Sequence, residues 1–251
     1  MLVSDLGTLT LKTNPGASAE SALLIDGILV VGLAGGTLTA FAARGGAPLW
    51  KRKLGTRTGD PLAAFGHLCV LCEEPEQAFL CALDPESGEV LYKKPLPPTR
   101  AQAELLLAGD QLVVPGGAGL HLIRARDGER RATLPLPGGA PSRILLSDDL
   151  EADAPTLLIR GAAGDLSRRT LDGRALWQRP ATEDGPGPLV LAPGVALEGL
   201  HAFETTTGRA LATLPGPRPD ASALLADLTV ALHDDTGTLS VHRAAGHLSL
   251  V

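Results

Sequence analysis

One short pattern returns through this chain six times, and its spacing dictates how the protein must bury its apolar surface. The pattern is seen in TLTAFAARGGAPLWKRKL, FLCALDPESGEVLYKKPL, LHLIRARDGERRATLPL, LSRRTLDGRALWQRP, LHAFETTTGRALATLPG and TLSVHRAAGHLSLV. Each copy is an alternating segment, a polar turn closing on glycine, and a second alternating segment. The turn glycines are Gly46, Gly88, Gly128, Gly173, Gly208 and Gly246, separated by 42, 40, 45, 35 and 38 residues. Three copies place an aromatic, Trp50, Tyr92 or Trp177, four residues after the glycine.

Upstream of each hairpin lies a further pair of short apolar runs, as in SALLIDGILVVGL, AELLLAGDQLVVPG and ALLADLTVALHDD. IDG and AGD supply the turn residues between two strands. Each repeat therefore holds four strands, in a unit of about 40 residues that cannot bury both faces until neighbours stack on it. This predicts an all-β, six-bladed propeller of four-stranded antiparallel blades as a single domain, with seven blades as the alternative. The repeats run approximately over 20–60, 61–102, 103–143, 144–187, 188–222 and 223–251. Residues 1–19, which contain the strand-like GTLTLKTNPG, are expected to close the ring against the last blade, since an unpaired edge invites association.

The third strand of each repeat sharpens the pattern. Six positions before the glycine stand Ala40, Ala82, Leu122, Ser167, Ala202 and Ser240, and five before it Phe41, Leu83, Ile123, Arg168, Phe203 and Val241. One face is mostly small and the other mostly large, as packed twisted sheets require. Arg168 breaks the rule.

Composition removes several classes of function. Net charge is −6 with a pI near 5.5, so no global basic field exists to recruit a nucleic acid. No apolar run reaches the roughly 18 residues of a membrane-spanning helix, and MLVSDLGTLTLKTNPG lacks the basic and apolar regions of a signal peptide. A cytoplasmic location is expected, or a periplasmic one if an export signal has been removed. Three crowded cysteines, Cys69, Cys72 and Cys81, do not make a disulfide framework and suggest a reducing compartment.

The glycine-closed turn followed by an aromatic resembles the quinoprotein-like (PQQ-like) β-propeller repeat, whose usual form is LYALDxxTGxxLW. LCALDPESGEVLY (80–92), LTAFAARGGAPLW (38–50) and LHAFETTTGRALA (200–212) carry the resemblance, while Ala132, Ala212 and Leu250 replace the aromatic elsewhere. That family includes quinone-dependent dehydrogenases and non-catalytic scaffolds such as the propeller lipoprotein of the bacterial outer-membrane β-barrel assembly machinery. The dehydrogenases have an adjacent Cys-Cys pair over the cofactor and a calcium held in part by Asn. This chain has no adjacent cysteines and one asparagine, Asn14, so the resemblance implies no cofactor and points to the scaffolds.

Other candidate groups have a structural and a chemical reading. Cys69 and Cys72, with His67 and Cys81 nearby, suggest zinc, but HLCVLCEE reads as a strand on which residues three apart face opposite ways. Cys72 and Cys81 are in reach of each other across the following hairpin. His121 and His201 share a repeat position in different blades and read as packing residues. Asp149, Glu151 and Asp153 alternate like the start of a calcium loop, without its glycine and distal glutamate. HDDTG, closing on Gly237, reads as a turn. Asp84, Glu86 and Ser87 are matched in position by Ala42, Arg44 and Gly45 in one repeat and by Glu204, Thr206 and Thr207 in another, a variation no shared catalytic role tolerates, so they read as turn residues. No serine sits in a hydrolase-type elbow.

Arginine recurs differently. Arg57, Arg100 and Arg143 follow one another at 43-residue intervals in the connections between repeats, and Arg218 stands in a fourth. Equivalent connections emerge on one face of a propeller, where guanidinium forks suit carboxylates and phosphates. The expectation is a non-catalytic platform for protein or peptide binding in a larger bacterial assembly, with these arginines at the docking face. The alternative is a small-molecule or cofactor binder using the central channel, against which the aliphatic first strands argue.

Overall fold

The computed structural model describes residues 18–97, 99, 103–117, 119–136, 141–147, 154–181, 187–192, 194–213, 221–224, 229–233 and 239–243. Among them there is no helix, and every strand pairing is antiparallel. The chain divides into two compact units, Met1–Thr133 and Leu134–Val251.

The first sheet comprises β1 (Ala19–Ile25), β2 (Ile28–Leu33), β3 (Thr37–Ala42) and β4 (Pro48–Lys53), in that order. Asp26 and Gly27, at φ 47° and 79°, form the two-residue turn that joins Ile25 to its partner Ile28. Two consecutive positive φ values match the right-handed twist of the flanking strands, which is why a D-G pair sits there. The second sheet has a divided first strand. β5 (Arg57–Thr58) and β6 (Leu62–Ala64) both pair with β7 (His67–Glu74), followed by β8 (Gln77–Leu83) and β9 (Val90–Pro95). Gly59, Asp60 and Pro61 interrupt it, and Pro61 has no N–H for the ladder. Arg57 thus lies in a short strand and not in the loop expected for it.

The third sheet holds β10 (Leu106–Ala108), β11 (Gln111–Gly116), β12 (Gly119–Arg124) and β13 (Arg130–Pro135). β14 (Arg143–Ser147), β15 (Thr156–Arg160), β16 (Leu166–Thr170) and β17 (Ala175–Arg179) form the fourth, and β18 (Leu189–Ala192), β19 (Val195–Glu198), β20 (His201–Glu204) and β21 (Ala210–Thr213) the fifth. In a sixth, β22 (Ala221–Leu224), β23 (Thr229–His233) and β24 (Leu239–Arg243) are described. The expected closing strand at 1–19 falls almost wholly outside the described residues, as do Gly246 and the HDDTG turn beyond His233.

Within each unit the core lies between successive sheets. Val30, Leu38 and Ala40 of the first meet Leu68, Val70 and Leu83 of the second. The opposite face of the second, with Cys69, Leu71, Leu80 and Ala82, meets Leu112, Val114 and Ile123 of the third. In the second unit Leu158 and Leu166 pack with Ala196 and Phe203. Alternate residues of one strand thus serve two different interfaces, the consequence of a period of two on a sheet covered on both faces.

The turn glycines do what their spacing predicts, with one variation. Gly46, Gly88, Gly128 and Gly208 have φ between 67° and 71° and donate to the carbonyl four residues back, at Ala42, Asp84, Arg124 and Glu204. Gly173 donates to Thr170, three back, so the fourth repeat's turn is one residue shorter. Counting back from that glycine therefore misplaces the strand by one. Arg168 is opposite Trp177, as Ala40 is opposite Trp50 and Ala82 opposite Tyr92. It occupies the small-residue position, not the large one that the count assigned to it.

Candidate functional site

The three aromatics tie the first sheet to the second, the second to the third and the fourth to the fifth. Trp50 Nε1 donates to Pro85 O at 2.8 Å, Tyr92 Oη to Ala125 O at 2.7 Å, and Trp177 Nε1 to Thr205 O at 2.8 Å. Each acceptor lies three residues before the turn glycine of the following repeat, and each ring lies against that glycine. A Cβ on Gly88, Gly128 or Gly208 would come within 2.5–2.8 Å of Trp50, Tyr92 and Lys94, or Trp177. Glycine is thus required twice at these positions, for the positive φ and for the ring. Two residues after each tryptophan an arginine completes the latch, with Arg52 Nε on Gly88 O at 2.9 Å and Arg179 Nη1 on Gly208 O at 2.6 Å. These arginines, readable as WKR and WQR, escaped notice in the sequence because their partners stand 36 and 29 residues away in the next repeat.

The acidic turn has a structural occupation. Asp84 Oδ1 accepts from Ser87 N at 2.7 Å, Ser87 Oγ at 2.8 Å and Glu86 N at 3.1 Å, and these bonds hold its carboxyl below the usual range. Asp127 does the same in the third repeat, accepting from Arg124 Nε at 2.9 Å and Glu129 N at 3.0 Å, and is held down to about 2, chiefly by Arg124.

The cysteines divide as strand geometry requires. Cys69 is buried on the face toward the third sheet, its Sγ 3.9 Å from Tyr92 Oη, and burial pushes its thiol up to about 11. Cys72 is on the opposite face and forms a disulfide with Cys81, the two Cα atoms 6.8 Å apart. This corrects the expectation drawn from an odd cysteine count. Cys72 pairs with Phe79 and Cys81 with Val70, so the hairpin sets the two thiols diagonally on one face. Among the described residues no cluster of three or more His, Cys, Asp or Glu is arranged to hold a metal.

His121 and His201 each face a threonine twelve residues on, His121 Nδ1 3.1 Å from Thr133 Oγ1 and His201 Nδ1 3.3 Å from Thr213 Oγ1. They clip the third strand of a sheet to its fourth, and burial lowers the pKa of His121. Asp149, Glu151 and Asp153 are outside the described residues.

Of the recurrent arginines, Arg57 and Arg143 are described, while Arg100 and Arg218 are outside the described residues. Arg57 is exposed and in register with Glu73. Arg143 is exposed and in register with Arg160. The two belong to different units, each with its own surroundings. Around Arg160 the second unit gathers a polar cluster that sequence reasoning missed. Arg160 Nε donates to Ser142 Oγ at 3.0 Å and its Nη1 to Gly187 O, and Nη1 stands 3.7 Å from Glu198 Oε1. Glu198 is 2% exposed and cross-strand from His201. At 3.7 Å the ion pair is longer than a hydrogen bond, and Oε1 has no hydrogen-bond partner. Burial outweighs the attraction of Arg160, His201 and Arg179, so the pKa of Glu198 is raised.

The family model described as PQQ_2, outer membrane protein assembly factor BamB, matches residues 4–239. No curated protein sequence matches. Among solved structures, BamB from Moraxella catarrhalis is 18% identical with a TM-score of 0.61, over 87% of this chain and 74% of that one. A computationally designed protein, Ika8, is 11% identical with a TM-score of 0.68, over 90% and 71%. A chain of the Mitotic Checkpoint Complex is 14% identical with a TM-score of 0.64, over 94% and 77%. At identities this low the likeness establishes the fold, an all-β propeller of four-stranded antiparallel blades.

Proposed function

This chain belongs to the PQQ-like repeat family described as outer membrane protein assembly factor BamB, and from that premise we propose that it is a non-catalytic propeller platform on which protein or peptide partners dock within a larger bacterial assembly. The observation that carries the reading is the latch of aromatic, turn glycine and arginine. It pins the first blade to the second, the second to the third and the fourth to the fifth, and makes the connections there a preorganised surface, so that little ordering entropy is lost on docking. A ring of six blades closed by the N-terminal strand is part of this proposal. So is a docking face containing Arg57, Arg100, Arg143 and Arg218. The Cys72–Cys81 disulfide supports an oxidising compartment such as the periplasm over a reducing one.

Charge reversal at Arg57, Arg100 and Arg143 together tests the docking face. Recovery of partners from native lysate is expected to fall sharply while the thermal transition stays in place. Unchanged recovery would remove these arginines from the proposal. The alternative, a small-molecule site, has one observation in its favour: Glu198, buried beside Arg160 with an oxygen that lacks a hydrogen-bond partner. Thermal-shift screening of carboxylate and phosphate metabolites against wild type and Glu198→Gln separates the two readings.

A further inference from the structure

The first unit carries a charge pattern that the chain as a whole does not. In a protein of net charge −6, its fourth strands PLWKRK and VLYKKP and the opening RRAT of β13 hold seven cations and no carboxylate. All seven are exposed. Four are already engaged: Arg52 on Gly88 O, Lys53 on Gly35 O, Lys93 with Glu74, and Arg131 3.8 Å from Glu129. Lys51, Lys94 and Arg130 have neither an ion pair nor a hydrogen bond among the described residues, and of these Lys94 and Arg130 are on adjacent sheets and line one groove.

Between these two cations runs a groove of about 420 Å³, lined also by Gln77, Pro95, Leu96, Pro97, Ile123 and Gly128. Leu96 and Ile123 are buried, 5% and 2% exposed, and give it an apolar floor. β9, which forms one wall, is last in its sheet's strand order, and among the described residues no strand pairs with its outer edge, which could take a further chain. Lysine on an edge strand has a plain explanation, the blunting of edge-to-edge association. That accounts for cations along the rim, but not for an apolar slot between two of the three that are unengaged.

We propose that this groove seats an extended acidic segment of a protein partner, with an apolar side chain over Leu96 and Ile123 and flanking carboxylates on Lys94 and Arg130. Charge complementarity selects the acidic partner. The slot and the open strand edge select an extended peptide over an anionic membrane, because a bilayer surface meets a rim of cations without entering a groove. The inference rests on the platform reading and names one of its partners' chemistries.

The test uses a fluorescein-labelled decapeptide of alternating glutamate and leucine, with fluorescence anisotropy on the full chain at low and high salt. Lys94→Glu/Arg130→Glu is expected to weaken binding at least about tenfold. Lys51→Glu/Lys53→Glu, an equal change of charge away from the groove, is expected to weaken it no more than about twofold. Lys94→Ala/Arg130→Ala, with folding checked by circular dichroism, guards against a misfolded variant and is expected to show the same ranking. Equal losses in the two charge-reversed proteins, no peptide binding by wild type, or binding of phosphatidylglycerol vesicles in place of the peptide each overturn the proposal. If the peptide fails while native partners are still recovered, the groove is wrong and the platform stands. If partner recovery fails as well, both fall.

Discussion

The interface between the first and second blades and that between the fourth and fifth solve the same problem with different chemistry. Both are latched by a tryptophan that donates to the next turn, Trp50 to Pro85 O and Trp177 to Thr205 O, and by an arginine two residues later. Under the first tryptophan lies Ala40, fully buried among aliphatic side chains. Under the second lies Arg168, 4% exposed, its Nε on Thr156 Oγ1 at 2.8 Å and its Nη1 on Thr205 O at 2.9 Å. A repeat therefore conserves its contact points more strictly than the polarity of the space between them. A guanidinium is tolerated where hydrogen-bond acceptors have been built around it.

The largest effect is expected from forcing the second solution on the first interface. Ala40→Arg places a charge among Val30, Leu38 and Leu68 with no acceptor built for it, and should cost about 4 kcal/mol or prevent folding. Urea unfolding or soluble yield reads this, and a near-neutral result would mean that the interface is not packed as described. Removing the shared latch comes next. Trp177→Ala loses ring packing on Gly208 and the bond to Thr205 O, an expected loss of about 3 kcal/mol by equilibrium denaturation. Arg168→Ala converts the polar interface toward the apolar one but leaves a void, with an expected loss of about 2 kcal/mol. A gain in stability would show that the guanidinium is a burden there.

The smallest effect belongs to Glu198, at the end of the same fourth-to-fifth seam. Its folded pKa is raised above the ordinary 4.5, so its contribution is fully present below that pH and is lost as pH rises through the folded value. Denaturation midpoints from pH 4 to 8 should fall less in Glu198→Gln than in wild type. Parallel profiles would mean that Arg160 compensates the buried charge in full.

Much of this was legible from residues alone. Glycine at a fixed place in a four-strand repeat announces both the turn and the stacking, because only a left-handed position and a sheet covered on both faces demand that pattern. Strand alternation placed Cys69 and Cys72 on opposite faces, as the structure has them. Asp84 and Ser87 were recognisable as turn residues, although not the three bonds that Asp84 accepts. The shortened turn at Gly173 was not legible, since one missing residue in a loop leaves the glycine in place and shifts the strand register behind it. Glu198 and the Lys94–Arg130 groove left no signal at all, because each is assembled from two repeats.

By itself, then, the sequence determined the repeat, the four strands within it, and the positions where glycine and an aromatic must stand. Those are local demands, set by backbone conformation and by a period of two. Tertiary structure alone decided what the aromatics donate to, why an arginine is buried opposite Trp177, and how Cys72 and Cys81 meet. Each of these depends on a partner brought near by strand pairing or blade stacking, and such partners have no fixed separation along the chain.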